Sequence, residues 1–593
     1  MRKVTATSRL PTLERSSGAI LNALLAAAAI GFAVVTFILV LTKAVDVPFW
    51  DEWEWGDTIL SYHAGTLTFT TLWAQHNEHR MFFPQVAMLL LDSLGYWSQR
   101  RECLFSVAVV TGSLWLLWRI ARRTLRPRAA FTVIAIGSLV LFSPSQEENW
   151  LWGFQTAWFL VDLAVLGGAL LLSQAEFSAS LLLAEGALSA LAAFSCGFGL
   201  AILPAVAVGL FIRRREIGSA AFLQWVVVSL VIAGLYLWGW HAVPIPGAIQ
   251  FSFLSGLRPR ALEIAVVAGL PVGMAGGLSA SAAIGSVGFI LAALYVVLSL
   301  RDLDDVRNAR TAPWIAVLVY GVCASALIGY GRADLGPEAA LSSRYVTCSL
   351  MLWLGLLGLV AVRPPWNAAL LSTRAARALL IVGALALSCF LLGTWAKGAK
   401  NLFASAAFYR ERNEVLANYW RAQDSDLLTL YVDANTVRTE SAALSRIGQL
   451  PEVQPPPEGL AEPIAEARFA QGYVDDAVID QRSKLLTARG WAVSPLSPSL
   501  PRHLMVTLDG HRDAHLRIDE NVRRDDVVVA LGLDTSTSPG FEFALPISNL
   551  RTGWHQVEIT LQDSHGVRFR FPSEIKIFIA NGSAVARIVR LNA

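Results

Sequence analysis

Eleven apolar runs, with basic clusters in several of the short loops between them, constrain this chain more than any other feature of its sequence. A helix needs about 20 mainly apolar residues to cross the roughly 30 Å hydrocarbon layer of a bilayer. Residues 16 to 42 carry no charge and no small-residue cleavage site follows them before Lys43, so we expect a retained first helix. The pattern predicts a polytopic α-helical membrane protein with about 11 transmembrane helices, at about 18–41, 103–119, 129–143, 151–172, 179–194, 199–212, 220–240, 280–300, 312–330, 345–362 and 377–395.

The basic residues of the short loops predict the orientation of these helices. Eleven crossings put every basic cluster on one side, the cytoplasmic side by the positive-inside rule. Residues 81–97 are expected to lie on the outer surface as an interfacial helix, and 261–278 to be re-entrant or surface-lying, because spanning at either point would export a basic cluster. The clusters are the N-terminal Arg2, Lys3, Arg9 and Arg15, then RRTLRPR (122–128), RRR (213–215), RDLDDVRNAR (301–310), and Arg363 with Arg374 and Arg377.

The charges are concentrated in the last third of the chain. Residues 396–593 hold 22 of the 48 Lys and Arg residues and 24 of the 45 Asp and Glu residues, which is typical of a water-soluble domain. We divide the chain into a transmembrane domain, 1–398, with a first outer loop, 43–102; a helical connector with a proline-rich linker (451–463), 399–465; and a C-terminal domain, 466–593. Short alternating runs at 503–510, 526–533, 541–547, 554–561 and 567–571 predict antiparallel strands and a β-sandwich.

The first outer loop is the richest in candidate catalytic groups. Its opening segment, PFWDEWEW, puts the adjacent acids Asp51 and Glu52 among tryptophans, where partial desolvation raises the pKa of a carboxylate. A general-base or metal-binding role is favoured, and an aromatic interface belt with solvated acids is the alternative.

Further along the loop, the segment QHNEHR concentrates four more polar side chains. If this segment is helical, His76 and His79 share a face with Arg80 one turn from His76, and Glu78 lies between them. Such a face could hold a phosphate through charge-assisted hydrogen bonds. A metal site or a solvated helix start are the alternatives.

The acidic pair that opens a long outer loop directly after the first helix resembles the GT-C superfamily of membrane glycosyltransferases. The resemblance covers roughly residues 15–400, and no WWDYG-type signature of the oligosaccharyltransferase branch is present. It implies a bacterial inner-membrane enzyme that uses a polyprenyl-phosphate-linked sugar, with a periplasmic C-terminal domain and with Asp51 and Glu52 as the catalytic pair. The basic loops predict a cytoplasmic N-terminus and, by the same count, a periplasmic C-terminal domain.

Other outer-face residues are candidates for contact with the donor phosphate or the sugar. SQEENWLWGFQ (145–155) offers carboxylate and amide groups beside tryptophans, as in many sugar sites, and is alternatively a tight loop with an aromatic anchor. An arginine at a helix start near the outer leaflet is costly unless it is paired or faces a cavity, and snorkelling to headgroups is the alternative. Together with His76, Glu78, His79 and Arg80, the candidates are Glu148, Asn149, Gln155, Arg344 and Tyr345.

Together, these features and the resemblance predict a glycosyltransferase that moves a sugar from a polyprenyl phosphate to a cell-envelope glycan or lipid. No metal ligand is assigned, and the participation of a divalent cation, Mg²⁺ or Mn²⁺, is left open. The rivals are a transporter or flippase of lipid-linked saccharides and a non-enzymatic envelope protein whose sandwich binds glycan. Trp491 and Trp554 could bind carbohydrate in that domain, but we expect both to fill its core. Nothing in the charge balance, +3 overall, suggests nucleic acid as a partner.

Overall fold

A computed structural model describes most of the chain and divides it into two compact units. The first unit comprises residues up to Asp46, Thr68–Leu94 and Ser98–Arg410, and the second comprises Val47–Leu67, Gly95–Trp97 and Glu411–Ala593. The first outer loop is therefore shared between the two units. The described ranges are 10–174, 178–242, 253–301, 305–363, 374–420, 422–453, 465–494, 502–509, 511–518, 522–534, 537–548, 550–563, 568–580 and 583–590.

A helix lies over each of the eleven apolar runs of the sequence. Within the described ranges, nine stretches are long and apolar enough to cross a membrane, and three shorter apolar helices accompany them. The helices are α1 (Leu10–Lys43), α2 (Gly56–His63), α3 (Phe69–Trp73), α4 (Phe82–Asp92), α5 (Gln99–Thr124), α6 (Pro127–Leu141), α7 (Glu147–Leu151), α8 (Thr156–Leu172), α9 (Ala179–Ala193), α10 (Ile202–Ile212), α11 (Arg214–Leu237), α12 (Phe253–Gly273), α13 (Gly277–Arg301), α14 (Asp305–Arg332), α15 (Val346–Val362), α16 (Arg374–Ala417), α17 (Asp424–Leu427), α18 (Ala434–Arg446) and α19 (Asp525–Leu531).

One end of the helical unit gathers the basic loops, and we call it the basic end. Trp314 Nε1 at the start of α14 donates to Thr124 Oγ1 at the end of α5, 3.0 Å away. Arg213 Nη1 donates to Leu172 O at the end of α8, at 2.8 Å, and Arg363 Nη1 donates to Leu298 O near the end of α13, at 3.2 Å. Arg123 Nη1, near the end of α5, donates to Ser173 Oγ, just after α8, at 3.3 Å, and α14 starts four residues after α13 ends. The loops that follow α5, α10 and α15 therefore lie at the same end. The opposite end, where α8 and α15 begin, is called the cavity end.

Helix α12 begins and ends near the cavity end. Near its start, Arg260 Nη2 lies 3.5 Å from Asp334 Oδ1, in the loop after α14. Just after its end, Met274 O accepts a 3.0 Å hydrogen bond from Lys397 Nζ. A Cβ on Gly269 would lie 1.9 Å from Ser281 O, so glycine is what permits α12 to pack directly on α13. The two ends of α12 thus do not lie at opposite ends of the unit.

Helix α4 lies where an interfacial helix was expected over 81–97, but it is shorter. It covers 11 residues, about 16 Å, which is too short to cross a bilayer. Its Gln85 and Asp92 are buried, and Phe83 N donates to Phe194 O after α9, at 3.2 Å. About half of the surface of α4 is therefore packed against other residues at the cavity end.

The C-terminal part of the second unit is rich in strands, as predicted. One sheet has seven strands and another has three, in the order β4–β5–β8. Apolar residues of both sheets, among them Phe541 and Ile559, belong to one buried cluster. The strands are β3 (Ala465–Phe469), β4 (Gln471–Asp480), β5 (Leu485–Val493), β6 (Arg502–Leu508), β7 (His511–Ile518), β8 (Gly540–Pro546), β9 (Gly553–Asp563), β10 (Arg568–Arg570), β11 (Ser573–Ala580) and β12 (Ser583–Arg590).

One predicted strand in this region is wrong. Residues 526–533 form most of helix α19, which ends at Gly532 in the left-handed conformation (φ 62°). Asp525 and Asp526 occupy its first turn, where acidic groups favour the positive end of the helix dipole. The acidic first turn and the left-handed glycine at the end thus outweigh the β preference of the three consecutive valines. Most of the proline-rich linker, 454–463, lies outside the described residues.

Candidate functional site

A cavity of about 300 Å³ opens at the cavity end of the helical unit. It lies among α8, α11, α14 and the loops that precede α4, α10 and α15. Its wall combines Glu78, His79 and Arg332 with aromatic and aliphatic side chains. The lining residues are Glu78, His79, Trp158, Gly197, Phe198, Leu200, Tyr236, Leu237, Trp240, Leu327, Ile328, Gly331, Arg332 and Tyr345.

The segment QHNEHR forms a tight hairpin, so the helical geometry expected for it is wrong. Strands β1 (Gln75–His76) and β2 (His79–Arg80) pair antiparallel, with His76 opposite His79. Asn77 adopts a positive φ of 48°, a conformation that asparagine tolerates in turns. The two histidines nevertheless have different surroundings. His79 and Glu78 line the cavity, whereas His76 is buried with its ring 5.3 Å from that of Phe154.

Arg80 fastens this hairpin to the rest of the unit. Its guanidinium donates to three backbone carbonyls: from Nε to Tyr236 O at 2.8 Å, from Nη1 to Trp73 O at 2.6 Å, and from Nη2 to Trp238 O. The side chain is buried. Arg80, a candidate phosphate ligand, thus holds the hairpin against the end of α11 in this structure and does not line the cavity.

The charged groups of the cavity are held in a defined arrangement. Arg332 Nη2 at the end of α14 lies 2.5 Å from Glu78 Oε1, and His79 Nε2 lies 3.5 Å from the same oxygen. Gly197 N donates to His79 Nδ1 at 3.2 Å. Because Nδ1 accepts, we infer that a neutral His79 carries its proton on Nε2, directed at Glu78. The cavity therefore presents a cation and a second nitrogen donor to any anion that displaces Glu78.

Aromatic side chains support this charged group. Tyr236 Oη and Trp240 Nε1 both donate to the backbone oxygen of Glu78, at 2.8 and 3.2 Å. Trp158 packs on Tyr345 with ring centroids 5.9 Å apart. At the edge of the cavity, Leu237 is 57% exposed and Leu327 is 51% exposed. These leucines are on the outer faces of α11 and α14, so the cavity has an apolar rim beside its charged head.

The remaining candidates of the helical unit form a second group. Glu148 accepts hydrogen bonds from Ser342 Oγ at 3.0 and 3.1 Å, and its Oε2 lies 3.9 Å from Arg344 Nε. Asn149 is buried and its Nδ2 donates to Arg344 O at 2.9 Å. These contacts join the loop before α8 to the loop before α15. Gln155 is buried after Phe154, and of all the candidates here only Tyr345 lines the cavity.

The acidic pair of the first outer loop belongs to the second unit. Residues 50–55 form a short 3₁₀ helix in which Glu52 is buried. Glu52 Oε2 accepts a hydrogen bond from Phe49 N at 3.1 Å, whereas Asp51 is only half-buried. Trp50 N donates to Leu430 O at 2.7 Å. Glu52 therefore has a clear structural role, and Asp51 is the more accessible of the two.

Tyr431 extends this acidic region within the second unit. Its hydroxyl donates to Glu54 Oε1 at 3.2 Å. Burial first, and then the charge of Glu54, raise the pKa of Tyr431, so the phenol stays protonated near neutral pH and keeps donating. A Cβ on Gly56 would lie 2.1 Å from Glu440 Oε2, which shows how closely α2 and α18 approach.

Among the cavity residues that the sequence did not identify are Trp158, Tyr236, Trp240 and Arg332. Arg332 lies two residues after the apolar run 312–330, and a cation at the end of a membrane helix is a usable signal. The three aromatic residues resemble ordinary interface anchors in sequence, so no local signal distinguishes them. No protein-family model, curated protein or solved structure matches this chain.

Proposed function

We propose that the protein is a bacterial inner-membrane glycosyltransferase that moves a sugar from a polyprenyl phosphate to a cell-envelope acceptor. The observation that supports this most is the cavity itself. A lipid-linked sugar combines an anionic phosphate, a polyhydroxyl ring and a long apolar chain. The cavity offers Arg332 and His79 for the first, aromatic rings for the second, and the apolar rim at Leu237 and Leu327 for the third.

The proposed orientation follows from the basic end. A single end that collects the loops after α5, α10 and α15 fits the cytoplasmic side under the positive-inside rule. The cavity end would then be periplasmic, and the C-terminal domain, proposed to be a β-sandwich, would be periplasmic as well. Polyprenyl-phosphate sugars would be used on that side.

The reaction we propose is a direct displacement at the anomeric carbon. A carboxylate takes the proton of the acceptor hydroxyl, whose oxygen forms the new bond to the anomeric carbon. The resemblance of the acidic pair to that of the GT-C superfamily assigns this role to Asp51. The bond from that carbon to the phosphate oxygen breaks, and polyprenyl phosphate leaves with the electron pair. Arg332 and His79 are assigned to the phosphate by their charge and hydrogen-bonding capacity. Glu52, which is buried and bonded to Phe49 N, is assigned to positioning.

A transporter of lipid-linked saccharides is the second candidate. Two acidic residues inside the helical unit favour it, Asp162 on α8 and Glu185 on α9, because both are buried and intramembrane acids commonly serve transport. Purified protein in liposomes that contain a radiolabelled polyprenyl-phosphate sugar, with cell-envelope extract added as the acceptor, separates the two functions. A transferase forms a labelled product that is no longer attached to the prenyl chain. Movement of intact lipid-linked sugar between leaflets, with no such product, would support transport and contradict our proposal.

A further inference from the structure

Trp554, expected in the core of the C-terminal strand region, lies on its surface. It is 66% exposed, and so are its cross-strand neighbours Phe578, at 39%, and Val585, at 65%. Phe578 on β11 is opposite Trp554 on β9 and Val585 on β12. Trp554 and Phe578 are in contact, with centroids 4.9 Å apart and planes at 44°. We call these three residues the aromatic platform.

A polar row lies beside the platform on the same face of the sheet. Alternate residues of a strand share a face, so Gln556, Lys576 and Arg587 are two positions along from the platform residues, and they pair with one another across the strands. Lys576 Nζ lies 3.3 Å from Glu574 Oε1. Gln556 Nε2 donates to Glu558 Oε1 at 3.1 Å. Neighbouring carboxylates thus hold Gln556 and Lys576 in place beside the platform.

We propose that the platform and the polar row form a binding site for a neutral glycan. Pyranose rings stack their C–H faces on exposed aromatic rings, and their hydroxyl groups both donate and accept hydrogen bonds. Three adjacent strands make a surface about 10 Å wide, enough for one or two hexose units. Beside it, Gln556, Lys576 and Arg587 supply donors, and Glu558 supplies an acceptor.

The charges of this face favour a neutral ligand over the other occupants. Glu574 lies 3.3 Å from Lys576 Nζ and 3.9 Å from Arg570 Nη2, so it and Glu558 offset most of the charge of Lys576, Arg570 and Arg587. A surface for anionic lipid carries a larger excess of basic residues. A stable contact between two copies of the chain needs roughly 800 Å² from each partner, far more than three side chains expose. The proposal is independent of sugar transfer, because binding can be measured with no donor present.

The test is calorimetric titration of the full-length protein in nanodiscs with cellohexaose, maltohexaose, mannohexaose and chitohexaose. We expect at least one hexasaccharide to bind, Trp554→Ala to weaken it at least tenfold, and Trp554→Phe to restore most of the affinity. Val478→Ala, at an exposed apolar position on β4, is the matched control and should bind as wild type does. The Trp554→Phe variant separates loss of stacking from misfolding.

Three results would overturn the proposal. The first is that none of the four hexasaccharides binds the wild-type protein. The second is that Trp554→Ala and Val478→Ala bind equally well. The third is that Trp554→Ala leaves saccharide binding intact but abolishes capture by phosphatidylglycerol vesicles or self-association in sedimentation, which would assign the face to lipid or to a second copy.

Discussion

Arg332 and Glu78, 254 residues apart in the chain, form an ion pair in the cavity with their atoms 2.5 Å apart. The pair joins the end of α14 to the hairpin before α4. In the proposed function a donor phosphate takes the place of the Glu78 carboxylate beside Arg332. Charge-assisted hydrogen bonds of this kind contribute about 1.5–3 kcal/mol.

Removing Arg332 tests whether the donor phosphate takes the place of the Glu78 carboxylate. Arg332→Ala should lower kcat/KM for the lipid-linked donor about 10- to 100-fold, the equivalent of one or two charge-assisted hydrogen bonds. The measurement is initial transfer rate against donor concentration in liposomes. Arg260→Ala is the matched control, since Arg260 pairs with Asp334 near the same end and does not line the cavity. Equal losses in the two variants would remove Arg332 from donor binding.

Two glycines of the cavity wall make a second matched pair. A Cβ on Gly197 would lie 2.8 Å from His79 Nδ1 and 2.9 Å from Tyr236 Oη, whereas a Cβ on Gly331 meets nothing within 4 Å. Gly197→Ala should displace His79 and Tyr236 at a cost of about 1–3 kcal/mol, with a matching loss of transfer. Gly331→Ala should behave as wild type does. Thermal unfolding and transfer rate are measured on both, and a neutral Gly197→Ala would contradict the described packing.

The acidic pair of the first outer loop should separate by role. Asp51→Asn keeps size and polarity but removes the proton acceptor, so transfer should fall roughly 10²–10⁴-fold with little change in unfolding temperature. Glu52→Ala should instead lower the unfolding temperature, because it leaves the Phe49 N–H without its acceptor. Thermal unfolding and transfer are compared at matched expression. Near-normal transfer by Asp51→Asn would show that Asp51 is not the general base.

The C-terminal strand region should carry a histidine-dependent contribution to stability. His555 Nδ1 lies 2.6 Å from Asp509 Oδ2 and Nε2 lies 2.7 Å from Arg551 O. The bond to Asp509 and then the bond to Arg551 O raise the pKa of His555. The contribution is complete below the unfolded pKa of about 6.5 and is lost as pH rises through the higher folded pKa.

The direction of this pH dependence of stability can be checked by unfolding the protein in denaturant at several pH values. The wild type should lose stability relative to Asp509→Asn as pH increases above about 6.5. Asp509→Asn removes the main cause of the raised pKa and should flatten that dependence. An unchanged pH profile in Asp509→Asn would show that the two side chains are not coupled in solution.

The sequence predicts the helices well because their signal is local and long. Each apolar run that was assigned to the bilayer coincides with a helix, since burial of a continuous apolar surface needs no information about distant residues. The failures are short segments. The hairpin at Gln75–Arg80 depends on a positive φ at Asn77 and on Arg80 reaching carbonyls of α11, neither of which is visible in local periodicity.

The candidate site was predictable in part for the same reason. Glu78, His79 and Tyr345 were identified from residue type and from the outer-face loops, and all three line one cavity. Arg332 was passed over, because its pairing with Glu78 depends on tertiary packing across most of the helical unit. Trp554 was expected in the core because aromatic residues usually fill it, but strand alternation puts Trp554 on the face opposite the buried Val557.

Photolabelling of the cavity tests the central claim most directly. A polyprenyl-phosphate sugar with a diazirine in its first isoprene unit is irradiated with the protein in liposomes, and the labelled peptides are identified by mass spectrometry. We expect labelling at Leu237, Leu327 and Trp240, and we expect unlabelled donor to compete with it. The labelling should be at least tenfold weaker in Arg332→Ala than in Arg260→Ala. Labelling confined to other helices, or unaffected by Arg332→Ala, would contradict it.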